Sequence, residues 1–118
     1  LGCAQMEVLP NFLEKKRDLA LSYKNLFKGS DYKFVSEPTY AQSNYWLNAI
    51  ICPDASSRET FIKETNADCV MTRPIWKLMH RLPMFKNAFR GSLENSEFIE
   101  ARVVNIPSTP GEIGKSDA

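Results

Sequence analysis

The sequence predicts an α+β domain, a small antiparallel or mixed sheet packed with helices. Three stretches carry that expectation. From Pro10 to Phe27, the positions Phe12/Leu13, Lys16, Leu19/Ala20, Tyr23 and Leu26/Phe27 recur at the three-to-four spacing of one helix face. From Ser43 to Cys52, Tyr45, Leu47, Ala49 and Ile51 alternate with Trp46, Asn48, Ile50 and Cys52, the period of a strand. Between that strand and a Cys69–Thr72 strand lies a helix opened by Ser56-Ser57-Arg58-Glu59. A strand, helix, strand succession implies a small sheet covered by helices.

The gross numbers allow one such domain. At 118 residues the fold should bury roughly two-thirds of its extended surface. Fifteen Lys and Arg face fourteen Asp and Glu, a net charge of +1, which lacks the basic excess of a nucleic-acid binder. No apolar run approaches the ~20 residues of a membrane helix, and no secretory leader is visible. A cytoplasmic protein with neither nucleic-acid nor membrane partners is expected. Cys3, Cys52 and Cys69 are odd in number and widely spaced, which fits neither a disulfide framework nor a CxxC site. They read as buried small hydrophobes in a reducing compartment. The alternative, a nucleophilic cysteine paired with the lone His80, lacks an orienting third group.

Each element has a local reason. Leu1 to Glu7 reads as helix interior without a cap, so the chain is expected to be a piece of a longer protein. Pro10 starts a helix there or kinks a longer one. Asn11, Glu14, Lys15, Arg17, Asp18 and Lys24 form the face expected to meet solvent or a partner; Glu14 and Asp18 dilute it as a membrane-binding face. Gly29 can supply a left-handed cap, and Tyr32–Val35 a short strand. Pro53-Asp54 ends the main strand, and Ser56 is expected to cap a helix reaching about Glu64 with Phe61 and Ile62 inward. Met84, Phe85, Ala88 and Phe89 form an apolar patch; Ser92 can cap a last helix, and Val103–Pro107 is extended. The polar stretch from Ser108 onward is expected to be mobile.

Standard chemical signatures are missing. There is no GxxxxGK[ST] or GxGxxG loop, and a single histidine without paired cysteines argues against a zinc cluster. Glu59 with Glu64 and Glu97 with Glu100 read as solvated helix faces rather than a glycosidase pair. One cluster survives, in the run Cys69 to Pro83. Pro74 can open a helix, which would set Trp76 and His80 four apart on one face beside Arg73. Arg73 could grip a phosphate or carboxylate, Trp76 cover a sugar or base, and His80 bond an anion or hydroxyl. The structural alternative makes Trp76 core filler, pairs His80 with a carbonyl and Arg73 with a local carboxylate. Trp46, with Tyr45 and Asn48, could line the same cleft or simply pack.

Taken together, these motifs resemble the DegT/StrS sugar aminotransferases. Leu1-Gly2-Cys3-Ala4-Gln5 and Phe12-Leu13-Glu14-Lys15-Lys16-Arg17 look like the helix leaving their large domain. Thr72-Arg73-Pro74-Ile75-Trp76, Leu78-Met79-His80, Leu82-Pro83 and Val103-Val104-Asn105-Ile106-Pro107-Ser108 look like their small C-terminal domain, so the resemblance covers the chain to about Ser108. It implies the C-terminal domain of an enzyme of the aspartate-aminotransferase fold type. Residues 1–28 would be the helix leaving the large domain, 29–108 the small domain and 109–118 a flexible tail. The parent would use pyridoxal 5'-phosphate to move an amino group from glutamate to a keto sugar nucleotide, as a homodimer. The resemblance places the Schiff-base lysine and the aspartate facing the pyridine nitrogen upstream of this chain, so none of Lys15, Lys16, Lys24 or Lys77 takes that role, and the piece alone is expected to be inactive. It implies substrate contacts from Arg73, Trp76, His80 and Trp46. Trp46-Leu47-Asn48 stands where many relatives read His-Leu-Tyr, which resembles the branch making amino sugars for surface polysaccharides or nonulosonic acids. The alternative is a non-catalytic interaction module packing on another domain.

Overall fold

The computed structural model describes residues 2–110; the expected tail therefore lies, from 111 onward, outside the described residues. The first helix, α1 (Gly2–Leu26), is continuous through Pro10, so that residue is neither its start nor its end. Pro10 has no N–H for the carbonyl of Met6, but residues 2–15 are all exposed and that turn is open to water. The apolar stripe meets the core only in its second half. Ala20 is buried and Tyr23 and Phe27 pack on the core, whereas Phe12 is 44% exposed and Met6 and Leu9 are also uncovered. A helix of 25 residues is about 37 Å long, so its first half presents apolar surface beyond the sheet. Gly29 ends the turn with φ of +79°, the left-handed cap expected.

Four strands follow, β1 (Lys33–Phe34), β2 (Asn48–Ile51), β3 (Arg73–Pro74) and β4 (Val103–Ile106). Their order is β1-β2-β4-β3, with every neighbouring pair antiparallel. Because β2 and β3 both run against β4, they are parallel to each other, and the last strand fills the slot between them. This is a split β-α-β arrangement, with α2 (Ala55–Ala67) as the crossover. Register aligns Ala49, Asn105 and Arg73 across one face and Phe34, Ile50, Val104 and Pro74 across the other. Ile50 and Val104 of the second row are core residues with Phe34 packed against them, whereas Pro74 at the sheet edge is exposed.

The main strand is shorter than the sequence pattern. Tyr45 adopts φ of +46°, which breaks the extended run before Trp46, so only Asn48–Ile51 pair. Asn48, Ile50 and Cys52 are buried, and Ile50 and Cys52 join Val104 and Ile106 as the core cluster. A chain of rings surrounds it. Tyr23 lies 6.5 Å from Phe27 and 6.3 Å from Phe34, Phe27 lies 6.4 Å from Tyr32, and Tyr32 lies 5.4 Å from Phe61, joining α1 to β1 and α2. Each such pair adds about 0.5–1.5 kcal/mol beyond burial. Tyr23 also donates its hydroxyl to the Pro107 carbonyl at 2.9 Å. The Asn48 side-chain amide has no partner among the described residues, although its backbone N–H donates to Ser108 Oγ at 2.7 Å.

Helix α2 begins one cap earlier than its Ser56 motif suggests. Asp54, directly after Pro53, is the N-cap and accepts the Ser57 N–H at 2.7 Å, a bond that holds its carboxyl below the usual 3.8. The helix runs to Ala67 rather than Glu64 and closes in a Schellman motif, with Val70 N–H on the Thr65 carbonyl at 2.8 Å and Cys69 N–H on the Asn66 carbonyl at 3.2 Å. Cys69 occupies the left-handed position, φ +62°, so Cys69–Thr72 is the end of a helix cap and not a strand. The strand starts at Arg73. Helix α3 (Glu94–Arg102) has Leu93 at its cap position with no side-chain bond, so Ser92 does not cap it; Glu94 and Glu97 in its first turn complement the dipole instead.

Of the cysteines only Cys52 is buried; Cys3 and Cys69 are exposed, against the expectation for all three. Burial pushes the Cys52 thiol up, away from the thiolate a nucleophile needs. Among the described residues no helix is long and apolar enough to cross a membrane, and no group of three or more His, Cys, Asp or Glu could hold a metal.

Candidate functional site

The open face of the sheet leads into a cleft of about 570 Å³ whose wall includes Lys16, Trp46, Arg73, Trp76, Asn105 and Ser108. Arg73 enters it from β3, an edge strand in which Pro74 loses nothing by lacking an N–H. The position of β3 is fixed from behind. Thr72 is buried, its hydroxyl 2.7 Å from Thr65 Oγ1, and Asn66 Nδ2 donates to its carbonyl at 3.0 Å. The Arg73 guanidinium contacts Met71 Sδ at 3.3 Å and has no carboxylate partner among the described residues.

Both tryptophans on the cleft are exposed, Trp46 by 70% and Trp76 by 71%, so neither is core filler. Trp46 is placed by the loop before β2. Arg17 on α1 grips Glu37, Nη2 to Oε1 at 2.6 Å and Nη1 to Oε2 at 3.3 Å, and also donates to the Ser43 carbonyl at 2.6 Å. Glu37 Oε2 accepts the Ser43 N–H at 2.6 Å, and the Glu37 N–H reaches the Tyr45 hydroxyl at 3.2 Å. Arg17 thus turns the 37–45 loop back onto the helix. The helix periodicity puts it on the face expected to meet solvent or a partner.

His80 stands elsewhere. Pro74 pairs with Val104 instead of opening a helix, Leu78 is extended at ψ 135°, and a single 3-10 turn covers Met79–Arg81. Trp76 and His80 therefore do not share a helix face. His80 lines a separate pocket of about 330 Å³ with Leu78, Met79, Phe85 and Phe89, and its Nε2 lies 3.6 Å from Glu97 Oε1 rather than on a carbonyl. The chain is drawn there by α3. Glu100 Oε1 accepts the Leu78 N–H at 3.1 Å and its other oxygen pairs with Arg81, whose Nη2 is also 3.6 Å from Glu97. Glu97 and Glu100, expected on a solvated face, strap the Trp76 segment to the domain.

The same chain matches the model of the DegT/DnrJ/EryC1/StrS aminotransferase family over residues 1–116. The chain belongs to that family. It is 31% identical over 113 residues to EpsN of Bacillus subtilis (strain 168), which carries the name of a pyridoxal phosphate-dependent aminotransferase, and 27% identical over 110 residues to a GDP-perosamine synthase of Escherichia coli O157:H7. These alignments cover 92% and 93% of this chain but only 29% and 30% of the relatives. The fold is that of part of the aminotransferase TlmJ from Streptoalloteichus hindustanus, TM-score 0.82 at 22% identity, over 98% of this chain and 31% of that one. The expected α+β architecture of a fold-type-I small domain is thus present.

For this aminotransferase-family domain, the residues that sequence reasoning missed are the ones that hold the loops, Lys16, Arg17, Glu37 and Glu100. Their partners are far away along the chain, and no local pattern announces them. One of them gives a pH dependence. The Ser43 N–H and then Arg17 hold the Glu37 carboxyl below its usual 4.5. A depressed carboxyl contributes its stabilisation fully above the unfolded value and loses it as pH falls through the folded one. Acidification through a range below the usual 4.5 of a glutamate is expected to release the Trp46 loop. Tryptophan fluorescence of a Trp76→Phe chain should shift in that range, and Glu37→Gln should remove the transition; an unchanged profile in Glu37→Gln would contradict the clamp.

Proposed function

We propose that this chain is the C-terminal, substrate-facing domain of a pyridoxal-phosphate-dependent aminotransferase. The parent moves an amino group, from glutamate, to a keto sugar nucleotide in surface-polysaccharide or amino-sugar biosynthesis, and works in the cytoplasm as a homodimer. Residues 1–28 lead out of its large domain, 29–108 form the small domain and 109–118 a tail. The reading rests on one observation above all, an Arg73 with no carboxylate partner among the described residues, flanked by two exposed tryptophans in a chain that matches the family. A guanidinium suits a diphosphate, and indole faces suit a base or a sugar.

The cofactor does not fit this cleft alone. Among the described residues no Asp or Glu lines it to meet a pyridine nitrogen, and the lysine described there, Lys16, already donates to two carbonyls. On this reading the remainder of the parent supplies the Schiff-base lysine and the cofactor's chemistry, and the domain by itself is inactive. Its contribution is to bind and orient the sugar nucleotide through Arg73, Trp46 and Trp76. His80 would serve from the neighbouring pocket, where its Nε2 lies 3.6 Å from Glu97 Oε1.

The complete natural protein tests this. It should be purified with visible cofactor absorbance that glutamate discharges and a keto sugar nucleotide restores. A cofactor-free protein would favour a non-catalytic packing module.

A further inference from the structure

Lys16 on α1 is 30 residues from Trp46 and 92 from Ser108, yet its ammonium donates to the carbonyls of both, at 3.2 Å for Trp46. Trp46 precedes β2 and Ser108 follows β4, so one side chain ties the helix to both strand ends that border the cleft. An ammonium has three donors, and two are used here. Its neighbour Arg17 is neutralised by Glu37, whereas Lys16 has no carboxylate within ion-pair distance among the described residues. Arg73 is in the same condition, and the described lining they share contains no Asp or Glu. Two cations without a carboxylate partner among the described residues, on one concave wall, create a positive potential that suits an anionic ligand.

We infer that Lys16 is a positioning residue of this cleft. It holds the Trp46 loop and the segment after β4 together, and it adds the second positive charge facing a diphosphate-bearing ligand. The inference rests on the proposed reading of the cleft as a sugar-nucleotide site. It involves no covalent step, since the ammonium is charged and already bonded to two carbonyls.

The test is calorimetric titration of the complete natural protein with GDP and with UDP, comparing wild type, Lys16→Met, Lys16→Arg and Arg73→Ala. Lys16→Met keeps the stem but loses the charge and donors, and should weaken nucleotide binding about tenfold or more, with a shallower salt dependence. Lys16→Arg keeps both and should stay within about threefold of wild type. Wild-type affinity in Lys16→Met, with binding lost in Arg73→Ala, would overturn the role of Lys16 and leave the cleft reading standing. Failure of wild type to bind either nucleotide, or equal affinities in all four proteins, would overturn both. If Lys16→Met does not fold, Lys16→Gln replaces it: about tenfold weaker binding supports the inference, and unchanged binding sinks it.

Discussion

Replacing Glu100 by alanine is expected to lower the stability of the 118-residue chain by about 2–3 kcal/mol. Glu100 is only 9% exposed, and its two oxygens hold the Leu78 N–H and the Arg81 guanidinium. Breaking a fully buried ion pair costs about 3–5 kcal/mol because a charge is stranded. Here the Arg81 side chain is 44% exposed, so water recovers part of that, and the loss is dominated by the orphaned Leu78 N–H and the lost charged bond. Glu100→Gln keeps an acceptor for Leu78 and should lose about half as much. Equilibrium urea unfolding checks both, and an alanine variant within about 0.5 kcal/mol of wild type would show that α3 does not hold this segment.

The second large effect concerns ligand rather than fold. On the proposed reading, Arg73→Ala is expected to raise KM for the keto sugar nucleotide about 100-fold in the complete protein, the consequence of losing two proposed charge-assisted hydrogen bonds. Stability should change by less than about 0.5 kcal/mol, because Arg73 is exposed and its side-chain hydrogen-bond partner among the described residues is Met71 Sδ. Arg73→Lys should recover only part of the affinity, since an ammonium cannot offer two parallel donors. Steady-state kinetics with thermal melting separates these outcomes. A KM unchanged in Arg73→Ala would remove Arg73 from the site.

The elements that sequence located well are those written in local periodicity. The stripe on α1, the Gly29 cap and the Val103–Ile106 strand each depend on residues within a few positions of one another. The shifts arise where backbone geometry departs from the common pattern. Tyr45 and Cys69 both take left-handed conformations that usually favour glycine, so the pattern from Ser43 to Cys52 overstates its strand and the strand expected at Cys69–Thr72 is a helix cap instead. The site was legible in part. Arg73, Trp76 and Trp46 converge because β3 pairs with β4 and the Glu37 clamp turns the preceding loop, neither of which spacing alone discloses. His80 was grouped with Trp76 on the assumption of a helix after Pro74. Pairing of Pro74 with Val104 and capture of Leu78 by Glu100 override that local preference. Long-range partners decided those points.

Arg73 and the two tryptophans are proposed to receive the nucleotide part of the substrate. A crystal structure of the complete protein with a nucleoside diphosphate bound tests this. Phosphate oxygens are expected about 3 Å from the Arg73 guanidinium, with Trp46 or Trp76 covering a ring of the ligand. A nucleotide seated elsewhere, leaving Arg73 and both indoles in solvent, would contradict it.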